Sequence, residues 1–146
     1  MSSLLQVPFA QRLVGANRVV GVLVSEAASM TDAHLRAVGI ESGSNYVWGG
    51  ATDEGRCREF EKLWTASKRP DPPSASYDKA EQEFVPVAVE SYQAHPSMGA
   101  MVLECTGMQP FARAIQREID IPIFCWGTLL EYAYSVAGQR DHYGHV

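Results

Sequence analysis

The sequence of 146 residues, 46% hydrophobic and 20% charged, has the balance of one globular domain, long enough to bury roughly two thirds of the surface its unfolded chain exposes. Its net charge of −5, with basic residues scattered rather than gathered into a stripe, excludes the electrostatic footprint of nucleic-acid or anionic-membrane binding and favours a small-molecule partner. No run approaches the roughly 18 consecutive apolar residues of a membrane span, the N-terminus does not read as a secretory signal, and Cys57, Cys105 and Cys125 match neither a zinc spacing nor an even disulfide framework. A protein of the reducing cytosol, with no metal and no cofactor, is expected.

Residues 3–14 carry a loosely helical apolar pattern interrupted by Pro8 and ended by Gly15. Residues 18–24 read as a strand whose run after Arg18, Val-Val-Gly-Val-Leu-Val, is continuously apolar, as in a parallel strand covered on both faces, and Gly21 is expected to admit a close neighbour. Thr31 is a good N-cap for a helix over 32–38 ended by Gly39, with His34 on its surface. A second strand over 45–48 precedes Gly49-Gly50, and Cys57, Phe60, Leu63 and Trp64 form a helical stripe within 53–66 that makes Cys57 a core-packing or helix-surface residue rather than a chemical one. Residues 67–76, rich in proline, read as a solvated loop.

Residues 77–94 present Phe84, Val87, Ala88 and Tyr92 on one helical face, with Pro86 predicting a kink or a start near Val85. A strand over 99–104, a helix over 110–118 with Pro110 in its first turn, a strand over 121–124 and a helix over 128–137 complete the order. The sections are thus an N-terminal helical segment (1–16), an α/β core (17–137) and a polar tail (138–146), all within one domain. Strands alternating with helices predict a three-layer α/β fold on a mostly parallel four-stranded sheet of order 2-1-3-4. Ligands bind such sheets beyond the carboxyl ends of the strands, so Ser25, Gly49-Gly50, Cys105-Thr106 and Cys125 should share one rim.

Cys105 lies where a buried strand ends and a helix begins, a place where helix N–H groups lower a thiol's pKa; the alternative for any free cysteine is a small buried apolar residue. The run Leu103-x-Cys105-Thr106-Gly107-Met108-x-Pro110 resembles the second cysteine motif of the aspartate/glutamate/hydantoin racemase superfamily. Segments 21–25, 29–40, 103–114 and 121–124 share the likeness, which runs from about residue 2 to about residue 136 and covers only the C-terminal half of such a protein. Ser2-Ser-Leu-Leu-Gln-Val-Pro resembles an internal segment that follows the family's first cysteine motif. This explains why Arg12 and Arg18 precede the first acidic residue, Glu26, better than a transit peptide does, and makes Met1 look like a late start in a longer ancestral sequence.

The resemblance implies cofactor-independent proton exchange at the α-carbon of an amino acid or related carboxylate, with one cysteine from each of two lobes serving opposite faces. Cys105 matches the second of these. Thr106 and Gly107 are implied to surround the substrate carboxylate with a hydroxyl and N–H groups, with Ser25 on the same rim. Related sequences often carry histidine or asparagine at Gly107 and aspartate at Cys125, so this chain departs from the pattern at both. No counterpart of the first-lobe cysteine is present, and Cys125 belongs to the same lobe as Cys105.

His142 and His145 are spaced as helical ligands, but a glycine lies between them and no carboxylate or thiol cluster supports them; a solvated tail is expected. The glycines of 39–50 lack a phosphate loop's Gly-Lys-Ser/Thr ending. Two classes of function follow: a racemase, isomerase or single-cysteine decarboxylase acting through Cys105, or a non-catalytic remnant that binds a carboxylate. An uncovered lobe interface at Leu4, Leu5, Val7 and Phe9 would favour a homo-oligomer.

Overall fold

Val-Val-Gly-Val-Leu-Val is apolar on both sides of an extended chain, and β1 (Val19–Val24) accordingly sits inside the sheet with a neighbour on each edge. The computed structural model describes residues 2–41, 43–141, 143 and 144. In it, β1 pairs with β2 (Tyr46–Gly50) and β3 (Met98–Leu103), and β3 pairs with β4 (Ile123–Phe124). All pairings are parallel and the order is 2-1-3-4, so the expected α/β architecture is the observed one. Val22 is level with Trp48 on one side and Val102 on the other, and Val102 with Phe124.

Strand alternation splits the core into two layers. Val20, Val22, Val24, Ala100 and Val102 face α1 (Val7–Val14) and α2 (Asp32–Ala37) together with Leu4, Val7, Ala10 and Leu35. Leu23, Met101 and Leu103 face α3 (Arg58–Trp64), α4 (Tyr77–Ala94) and α5 (Ala112–Ile119), where Phe60, Phe84 and Phe111 pack with ring centroids 5.2–6.5 Å apart. Gly21 has the expected close neighbour: a Cβ there would stand 2.6 Å from Cε of Met98.

Several boundaries differ from the sequence-based expectation, each for a local reason. Pro8 lies in the first turn of α1 instead of interrupting it, after a 3-10 turn over Ser3–Gln6. The helix expected over 53–66 begins only at Arg58, because Glu54, Gly55 and Cys57 take positive φ angles of 59°, 72° and 46° that no helix accommodates. α4 runs unbroken from Tyr77 through Pro86 to Ala94, so it does not start near Val85. Pro86 and Gln82, four residues earlier, both face solvent, where water can meet the carbonyl that proline leaves unpaired, while buried Phe84, Val87 and Ala88 hold the helix to the core.

After β3 the chain forms a 3-10 turn over Thr106–Phe111, and α5 starts only at Ala112, so Pro110 is inside the turn rather than heading an α-helix. The last helix, α6 (Trp126–Ala137), starts two residues earlier than expected because Cys125 and Thr128 form a reciprocal capping pair. The apolar segment near the N-terminus is only partly uncovered. Leu4 and Val7 are buried against the sheet, whereas Leu5 and Phe9 are exposed, which corrects the expectation that all four would be.

Candidate functional site

All strands being parallel, their carboxyl ends share one edge of the sheet, and Ser25, Gly50, Cys105 and Cys125 lie at or just beyond those ends. Leu23 pairs with Leu103, and Ser25 and Cys105 each follow two residues later on neighbouring strands; Cys125 follows Phe124 on the next strand. Glu104 donates its N–H to the Leu23 carbonyl at 2.9 Å, the last rung of the ladder, and Cys105 turns away in an extended conformation. The Ser25 carbonyl accepts from the N–H (2.9 Å) and hydroxyl (2.8 Å) of Thr52, which ties the exit of β1 to that of β2.

Cys105 is half-buried against the layer containing Phe60 and Phe111. Burial raises its thiol pKa above the ordinary value, the Gly107 N–H on the sulfur pulls it down, and the neighbouring Glu104 carboxylate adds to the rise. The net shift is upward. This corrects the expectation of a lowered pKa from a helix terminus: a short 3-10 turn, not an α-helix, follows Cys105, and its aligned dipoles are too few to offset desolvation. The sulfur is therefore a protonated thiol at neutral pH.

Gly107 is held by its other neighbour, since a Cβ there would lie 2.3 Å from Cζ2 of Trp64. The indole thus occupies the space that a side chain at position 107 would take. Thr106, at the start of the turn, is exposed to solvent.

Successive residues of an extended chain point to opposite faces, and Glu104 accordingly faces the α2 layer. It accepts a hydrogen bond from the Ser2 hydroxyl at 3.2 Å and borders a cavity of about 460 Å³ with Val24, Met30, His34 and Val38. His34 is exposed, as expected, but it also caps α2. Its Nδ1 accepts from the Thr31 N–H at 3.2 Å and lies 3.0 Å from the Thr31 hydroxyl. A neutral ring with its proton on Nε2 satisfies this arrangement. Sequence placed Trp64 only in a helical stripe and gave Glu104 no role at the site; a carboxylate closing a buried apolar run was the available signal for Glu104.

Cys125 is buried and its sulfur accepts from the Thr128 N–H as the cap of α6. Its carbonyl accepts from Gln6 Nε2 at 2.9 Å, and Thr128 Oγ1 stands 2.9 Å from Gln6 Oε1. Cys57 is buried too, its Sγ 3.5 Å from the Glu83 carbonyl, and burial followed by the Glu83 charge pushes its thiol up to about 12. Of the three thiols, only Cys105 is both half-open and on the rim.

His142 and His145 lie outside the described residues. Among the described residues no three His, Cys, Asp or Glu side chains are grouped to hold a metal ion, and no helix is long and apolar enough to cross a membrane. No family model, no curated protein and no solved structure matches the chain.

Proposed function

We propose that the chain is a racemase- or isomerase-type domain in which the Cys105 thiol gives and takes a proton at the α-carbon of a small amino acid or related carboxylate. One observation carries the reading: a half-open thiol, held on its sulfur by the Gly107 N–H, at the carboxyl end of an inner strand of a parallel sheet. Because burial keeps Cys105 protonated at rest, exchange begins with loss of its proton to solvent; the thiolate then takes the α-proton, and the thiol so formed returns a proton to the carbanion. The same thiol serves a decarboxylation, in which loss of carbon dioxide leaves a carbanion that Cys105 protonates. Thr106 and Ser25 sit where a substrate carboxylate would be met. No cofactor is required, and the reducing cytosol, which keeps the thiol free, is the setting proposed.

A second reading is a carboxylate-binding half-domain without turnover. It is favoured by the lack, among the described residues, of a second accessible thiol beside Cys105, since Cys125 is buried. One experiment separates them. Small amino acids and dicarboxylates are incubated with the protein and with Cys105→Ala in deuterium oxide, and deuterium incorporation and optical rotation are followed together. The enzymatic reading expects incorporation that falls about 10²–10⁴-fold without Cys105. Incorporation equal in both proteins, or none, would sink it; ligand protection of Cys105 from alkylation without exchange would leave the binding domain.

A further inference from the structure

α6 carries one charged residue, Glu131, in twelve, yet none of its residues is buried. A helix that is apolar on nearly every side is stable in water only when something covers it. Its residues Glu131, Tyr132, Ser135 and Val136, with Arg140 just beyond, line one shallow groove at helical spacing. Tyr132 stacks on Phe9 at 6.4 Å and joins this groove to the exposed stripe Leu5, Phe9 and Leu13 of the N-terminal segment.

We infer that this face binds a second copy of the same chain, with the two α6 helices antiparallel about a two-fold axis between Ser135 and Val136. The charge pattern selects the occupant. Glu131 and Arg140 lie at opposite ends of the groove, Arg140 three residues past the end of the helix, and carry opposite signs, so in an antiparallel pair each meets the other's counterpart, twice per dimer, around a centre of Tyr132 and Val136. A surface that is complementary to itself is what an isologous dimer requires. The area agrees. Aromatic side chains present about 150–250 Å² each, so Phe9 at 57% and Tyr132 at 66% exposure, with the half-open Leu5, Leu13 and Val136, leave on the order of 400–500 Å² of apolar surface. The apolar share of a standard interface is close to that, roughly 57% of about 800 Å² per partner.

Sedimentation equilibrium of the full chain from about 1 to 100 μM, with circular dichroism to check folding, tests this. A dimer is expected. Glu131→Arg and Arg140→Glu should each weaken it about tenfold or more by setting like charges face to face, the double reversal should restore it, and Val136→Glu should abolish it with the fold intact. A monomer throughout, or a dimer indifferent to these changes, would overturn the inference, as would charge reversals that the double variant does not rescue.

Discussion

Replacing Gly107 with alanine probes the contact that shapes the rim. An ideal Cβ at this position lies 2.3 Å from Cζ2 and 2.7 Å from Cε2 of Trp64, whereas carbon atoms in contact rest about 3.5–4.0 Å apart. The indole or the turn must therefore retreat by more than ~1 Å. Gly107 does not have a positive φ, so alanine fits the backbone and by itself stabilises by about 0.4–1 kcal/mol through the unfolded chain. Overpacking costs about 1–3 kcal/mol, towards the lower end here because Trp64 is 46% exposed and can swing outward. The net expectation is destabilisation of about 1 kcal/mol, with a fall in melting temperature of roughly 3–5 °C. In a Trp64→Ala background the obstacle is gone and the sign reverses, so Gly107→Ala there should stabilise by about 0.4–1 kcal/mol. Urea unfolding of the four proteins, with tryptophan fluorescence as reporter, measures the cycle. An equal effect of the glycine replacement in both backgrounds would refute the reasoning.

Iodoacetamide should label Cys105 ahead of Cys57 and Cys125, at a rate that climbs with pH to a midpoint above that of a free thiol, because its net shift is upward; mass spectrometry of the labelled peptides decides. For Cys57, whose thiol is raised to about 12, the folded state holds its proton after the unfolded chain has lost it. The associated stability is therefore full below about pH 9 and fades towards pH 12. The urea midpoint should fall between about pH 8 and 10.5 by more in the parent than in Cys57→Ala, and parallel curves would contradict this. Thr128→Val removes both the cap of α6 and the hydroxyl beside Gln6. A loss of about 1–2 kcal/mol is expected by thermal melting, and an unchanged melting temperature would show that the cap contributes nothing.

The sheet order was legible because residues 19–24 and 99–103 are apolar on both faces and helices separate the strands, which leaves few right-handed topologies. The rim followed from that order, since strand ends in a parallel sheet share one side. What the sequence hid were features set by tertiary contact. Pro86 is harmless because its deficit faces water while three neighbours are buried. Periodicity does not distinguish a 3-10 turn from the first turn of an α-helix, so the sign of the Cys105 shift came out reversed. Trp64 reaches Gly107 from 43 positions away, and nothing in either local pattern announces it.

Gln6 holds the β4–α6 junction through Cys125 and Thr128, about 120 positions later in the chain. During synthesis, at about 5–20 residues per second, the partners of Gln6 emerge on the order of 6–24 s after it does. Until then Leu4, Val7 and Ala10 have no completed sheet to cover them, since Ala100 and Val102 are also late. This segment, made about 120 residues ahead of its partners, is therefore among the last to find its place, and through those seconds its greasy face is open to chaperones or to another nascent copy.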